Sequence, residues 1–302
     1  MLSRVIDAAR HPVSSNTTAI IFVRGSTIGT RLLVLFVIAR YVSPAEFGVV
    51  AYMLTVTEIA KVIADFGVDT YAIRTFAITT PDQQQAFARL VAVTKLIMGT
   101  AGYVVLVAFF FLQVRPQAGL GATIGLLVLT GLWANLYIDY FQARLKVSMI
   151  VIPIMLNNVA TIAAVVLLFA VHPSVFLAVA VLPLAEAVNA WVLSRLFKRE
   201  LGLGHQHIPL AQVGSLLRNT LPLAATLIIS MFYTRLDVLV LAAFFSATVV
   251  GFYGIAFRIT EPFQLMAGAF VQSSYSYLSR ALASGRQDVP RVAVRYGLGM
   301  LA

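Results

Sequence analysis

RGSTIGTRLLVLFVIARYVSPAEFGVVAYMLTVTEIAKVIADFG, residues 24–67, decides the fold. Two long apolar runs meet at a tight corner, Tyr41-Val42-Ser43-Pro44-Ala45-Glu46. Ser43 suits the N-cap of the second run, Pro44 its first helical position, and Glu46 the third position that completes a capping box. The corner therefore marks where one membrane-spanning helix ends and the next begins. Arg24 and Arg31, seven residues apart, fall on nearly one face of the first helix, and Glu58, Lys61 and Asp65 recur at helical spacing on the second. Charges at such depth are expensive and are usually kept for function.

The corner recurs. A shift of 203 residues lays residues 39–58 on 242–261 and matches Ala39 with Ala242, Ser43 with Ser246, Gly48 with Gly251, Thr57 with Thr260 and Glu58 with Glu261. We read this as an internal repeat, a common way of building membrane transporters.

Composition sets the class. The 302 residues are 60% hydrophobic and 11% charged, with a mean hydropathy of +0.90, which no soluble domain of this length matches. The expected fold is all-α: a polytopic helix bundle with a six-helix N-lobe and the start of a second lobe. Without cysteine there is neither a disulfide framework nor thiol chemistry. The net charge of +10 would suit nucleic acid, but the basic residues cluster in short loops, so membrane lipids are the expected surroundings and nucleic acid is not an expected partner.

Along the chain, residues 1–16 form a cytoplasmic N-terminal segment, with Leu2, Val5, Ile6 and Ala9 at helical spacing for an interfacial helix. Residues 17–197 hold spans 1–6, at about 17–40, 44–66, 81–112, 120–141, 150–171 and 174–196. Thr80 and Gln83 suggest a second capping box, and the polar stretch between spans 2 and 3 reads as a connection. Residues 198–218 read as an inter-lobe linker, helical in part at 209–217, with His205 and His207 in a solvated loop. Residues 219–302 read as an incomplete C-lobe, with spans 7 and 8 at about 219–244 and 247–272 and the start of a ninth near Val292. The chain thus reads as a fragment or an unusually short member of its kind. Prolines 153, 183, 222 and 262 lie inside spans, as kinks or hinges.

Fourteen basic residues fall on one side of this scheme and only Arg40 and Arg115 on the other, which places the N-terminus and the linker in the cytoplasm. No metal, nucleophile or phosphate-loop motif is present, so an enzyme is not expected and no cofactor is implied. A transporter needs only a polar path. The cavity candidates are Arg24, Arg31, Glu58, Asp237, Arg258 and Glu261, with Asn135, Asp139, Asn157, Asn158, Glu186 and Asn189 as further polar residues within spans. Arg235 falls off the polar face of span 7 that Asp237 marks. The plainer account of these residues is pairing between helices. Asp65, Lys95 and Arg144, near helix ends, are expected to snorkel to the surface. Span 1 has two cations and no carboxylate, so an anionic ligand is the natural complement, with Glu58 and Arg258 balancing the charge when it is absent.

The run Ala39-Arg40-Tyr41-Val42-Ser43-Pro44-Ala45-Glu46-Phe47-Gly48, followed by Asp65-Phe66-Gly67 and Arg74, resembles the opening of the polysaccharide transporter, O-antigen flippase-like branch of the MOP superfamily of exporters. The resemblance covers the first two spans, with a weaker echo in spans 7 and 8. It implies two helical lobes around a central cavity and movement of undecaprenyl-diphosphate-linked sugars across the bacterial inner membrane. It also implies alternating access driven by a cation or the membrane potential, with Arg24 and Arg31 facing the diphosphate, and it does not identify the coupling ion. The alternative, a cation-coupled multidrug antiporter of the same superfamily, would want a carboxylate on the cavity face of span 1. Reporter fusions at Gly204 and Ser284 are expected to report cytoplasm, and fusions at Gln117 and Pro173 periplasm. A periplasmic signal at Gly204 would invert the topology.

Overall fold

The computed structural model describes residues 12–171, 174–201 and 208–257, and every regular element among them is helical. In chain order they are α1 (Pro12–Tyr41), α2 (Pro44–Asp65), α3 (Val68–Ile78), α4 (Pro81–Gln113), a short 3-10 turn (Arg115–Gln117), α5 (Ala118–Ala143), α6 (Ser148–Val171), α7 (Val175–Glu200), α8 (Leu210–Phe244) and α9 (Ala247–Phe257). All but α3 and α9 contain a stretch long and apolar enough to cross a membrane, seven in all among the described residues. A helix satisfies its own backbone, which an open strand in lipid cannot do.

The Ser43 corner forms as its sequence dictates. The Ser43 N–H donates to Glu46 Oε2 at 2.9 Å and the Glu46 N–H donates to Ser43 Oγ at 3.3 Å. The box at Thr80 does not form. Thr80 occupies the N-cap without a side-chain bond. That corner is closed instead by Gln84, whose amide donates to the carbonyls of Phe76 and Thr79, both at 3.0 Å. The stretch after α2, read as a connection, is the helix α3. Asp65-Phe66-Gly67 is the joint between them: Phe66 and Gly67 take φ of 52° and 76°, and a Cβ on Gly67 would lie 2.9 Å from the Ala224 nitrogen of α8. Conformation and proximity both demand glycine. Of the linker read at 198–218, residues to Glu200 continue α7 and residues from Leu210 belong to α8. The interfacial helix at 2–9, His205, His207, Pro262, most of span 8 and the start of span 9 lie outside the described residues.

Packing is not sequential. Although α1 and α2 share the corner, α1 packs chiefly on α6, and α2 on α4, α5 and α8. The amide of Asn158 on α6 donates to Ser26 Oγ on α1 at 3.2 Å, glue of the kind that joins helices in lipid. The buried apolar side chains form two clusters. One gathers Phe76, Val91, Tyr140, Phe141 and Phe197, and the other Ile38, Met53, Phe110, Ile124 and Leu132. Large apolar side chains on the outside, such as Val105, Ile152, Leu167 and Ile229, suit contact with lipid.

Residues related by the 203-residue shift meet each other. A Cβ on Gly48 would overlap the Ala247 carbonyl, and a Cβ on Gly251 would overlap that of Pro44. A Cβ on Gly254 would lie 3.2 Å from Ala51 Cβ. Since 44, 48 and 51 shift to 247, 251 and 254, the contact between α2 and α9 is reciprocal, as a pseudo-two-fold crossing requires. Because each clash is with backbone, Gly48→Ala or Gly251→Ala should cost about 1–3 kcal/mol by overpacking. Thermal unfolding in detergent checks this, with Gly25→Ala, where nothing lies within 4 Å, as the neutral control.

Candidate functional site

Helix α2 carries Glu58, Lys61 and Asp65 through the middle of the bundle, and each meets charges from other helices. Glu58 is clasped from two sides. Arg235 Nη2 of α8 lies 2.7 Å from Glu58 Oε2, and Arg31 Nη1 of α1 lies 3.9 Å from Oε1. The Arg235 side chain is 12% exposed and that of Arg31 48%, so one guanidinium is buried in the pair and the other opens outward. Arg235 does lie off the face that Asp237 marks, and it is the Arg235 side that meets α2, because Glu58 needs a buried cation there. Asp237 is instead bonded to Tyr253 Oη of α9 and to the Val238 N–H at 2.8 Å. It ties α8 to α9.

Arg24 is exposed and has no carboxylate partner among the described residues. Arg31, two turns along the same face of α1, is exposed as well. Arg258 and Glu261 lie outside the described residues.

A second group lies deeper. Lys95 of α4 is ion-paired with Asp69 of α3, and its Nζ is 3.4 Å from Asp139 Oδ2 of α5. The Asn135 amide donates to Asp69 Oδ2 at 2.7 Å, and the Asp69 N–H donates to Asp65 Oδ2 at 3.3 Å. The Lys95 side chain is 1% exposed, and Asp65 is buried as well. The expectation that both snorkel to the surface is overturned, because each finds partners inside the bundle that water would otherwise supply. Arg144 is exposed just past the end of α5, as expected. Burial by itself would raise the Asp69 carboxyl, but the Lys95 ammonium and the donors around Asp69 outweigh it and hold the group below the usual carboxylate range. Asp69 escaped the sequence reading because it stands in what looked like a connection. Its four-residue spacing from Asp65 was the available signal.

Lys61 stands between the two groups. Its stem passes over Gly131 of α5, where a Cβ would strike it, and Glu186 of α7, Arg31 and Asp69 are within electrostatic reach. The charged residues thus run from Arg31 of α1 through Glu58 and Lys61 of α2 to the Lys95 group. Among the described residues no group of three or more His, Cys, Asp or Glu is arranged to hold a metal ion.

A family model described as polysaccharide biosynthesis protein matches residues 13–282. Neither a curated protein nor a solved structure matches the chain. Removing Lys95 should leave buried carboxylates without their cation. Lys95→Ala is expected to lower stability by about 3–5 kcal/mol, and Arg24→Ala to leave it within about 0.5 kcal/mol. Unfolding in detergent at neutral pH measures both.

Proposed function

The chain belongs to the polysaccharide biosynthesis protein family, the O-antigen and polysaccharide flippases of the MOP superfamily, and from that premise we propose that it flips an undecaprenyl-diphosphate-linked oligosaccharide across the bacterial inner membrane by alternating access. Members of the family are transporters rather than enzymes, and a polysaccharide or lipid-linked sugar is their cargo. The chain is a multi-pass membrane protein. The basic residues support a cytoplasmic N-terminus. In this reading residues 17–197 form one lobe and residues 219–302 belong to the second.

The observation that carries the proposal is Glu58 between Arg31 and Arg235. Two guanidinium groups from different helices converge on one carboxylate, and a phosphate oxygen can take the carboxylate's place. Arginine offers paired donors that match phosphate geometry, where lysine is only a point charge. An arginine at mid-span costs about 2.5–3.5 kcal/mol on insertion scales, so two near one cavity need a reason. Arg31, half exposed, meets the diphosphate first, with Arg24 two turns along the same face. The diphosphate then replaces Glu58 at Arg31 and Arg235. When the sugar lipid leaves, Glu58 takes the cations back and offsets part of their charge. The Glu58–Arg235 pair joins a helix of each lobe, so its making and breaking is coupled to cargo.

In cells that depend on this protein for surface polysaccharide, Arg31→Ala, Arg24→Ala and Arg235→Ala should abolish export at unchanged protein level. The corresponding lysine variants should recover only part of it. Quantifying surface glycan against membrane-fraction protein checks this, and normal export by the alanine variants would refute it.

A further inference from the structure

The Lys95 group is not used by the cargo reading above, and its composition is out of balance. Three carboxylates, Asp65, Asp69 and Asp139, surround one ammonium, from α2, α3, α5 and α4 respectively. Fully ionised, they would leave two negative charges uncompensated in a medium that solvates them poorly. Lys61, one turn before Asp65, could offset one of these, but Glu186 on α7 lies within reach of the same ammonium. From α5, Asn135 adds a neutral donor. From α8, which packs on α3 and α4, the neighbours at the Asp65–Gly67 joint are the apolar Leu223 and Ala224. Among the described residues the further cations near the group are Lys61 and, beside it, Arg31, and each already faces another carboxylate, Glu186 and Glu58.

The contacts within the group point the same way. Lys95 Nζ reaches both Asp69 and Asp139, and the Asp69 N–H donates to Asp65 Oδ2 at 3.3 Å, so the three carboxyls crowd one ammonium. Carboxylate oxygens are acceptors only, and like charges so close together favour keeping one of them protonated. Asp65 Oδ1 is itself fully buried and has no hydrogen-bond partner among the described residues, and the Asp65 residue is only 8% exposed. A buried oxygen of this kind wants a hydrogen. The position a metal ion would take between the carboxylates is filled by Lys95 Nζ, which reaches two of them. What the group lacks is a proton. Asp69, whose side chain is 23% exposed, gives that proton a way in and out, whereas Lys95 and Asp139 are sealed.

We propose that Asp65, Asp69 and Asp139 around Lys95 form a proton-exchange site that binds one proton among the three carboxyls and couples it to transport. On release, one carboxylic O–H bond breaks and the proton passes to water at the exposed edge of Asp69. The negative charge left behind strengthens the hold of the group on Lys95 and raises the cost of keeping the cluster buried. On uptake the bond re-forms and the cluster returns toward neutrality. Since α2 carries Asp65 at one end and Glu58 two turns earlier, a shift at the cluster is transmitted along one rigid helix to the arginine pair. That coupling rests on the cargo reading, but the proton site itself does not.

The test is therefore in two parts. Infrared difference spectra of the purified protein, titrated across neutral pH, should show a protonated-carboxyl C=O band that appears on acidification and is lost or displaced in Asp65→Asn and Asp139→Asn. Wild-type spectra without any titrating carboxyl band would overturn the proton site, whatever the variants do, and so would a band unaltered in both variants. In liposomes, flipping of a diphosphate-linked sugar lipid should rise several-fold under an imposed pH gradient. A titrating band together with gradient-independent flipping would overturn the coupling alone. A titrating band with no flipping in either condition, at preserved fold, would count against the cargo reading and leave the proton site standing.

Discussion

Helix α2 must carry three charges through an apolar bundle, and the cost of leaving any of them bare sets where its neighbours go. Glu58 draws in Arg31 from α1 and Arg235 from α8. Lys61 runs over a glycine of α5 toward Glu186 of α7. Asp65 reaches Asp69 on α3, and through it Lys95 on α4 and Asp139 on α5. One helix therefore organises contacts with six others by electrostatic demand. Apolar packing alone could not do this in lipid, where the tails offer each helix an equally apolar environment.

This arrangement separates two tasks. The Glu58 pairing is open on the Arg31 side, so a charge can be exchanged there with something that enters. The Lys95 group is closed at Lys95 and Asp139 and partly exposed at Asp69. Both groups draw on α2, one through Glu58 and the other through Asp65. The reciprocal contact of Gly48 with Ala247 and Gly251 with Pro44 lies at the opposite end of α2 from Asp65. It brings α2 against the repeat-related helix α9 at backbone distance, and side chains cannot cushion a change there.

Much of this was legible in the chain. The apolar runs, the Ser43 box and the repeat offset are local signals, because they depend on hydrogen bonds within a few residues or on a comparison of the chain with itself. The presence of Arg31 and Glu58 as unusual mid-span charges was equally plain. Their partner was not, because the face of α8 that meets α2 is set by the packing of the whole bundle.

The same division explains the errors. Asp65 and Lys95 lie near helix ends, where hydropathy favours escape to water, and only the approach of α3 and α5 shows that water is not their partner. Thr80 looks like a capping residue, yet Gln84 closes that corner through carbonyls at the end of a helix whose existence hydropathy did not reveal. The sequence by itself determined an all-helical membrane bundle with its principal corner, because backbone hydrogen bonding in lipid permits little else. Only the tertiary structure decided which charges neutralise which, because ion pairing acts through space at a few ångströms and the partners lie as far apart in the chain as Glu58 and Arg235.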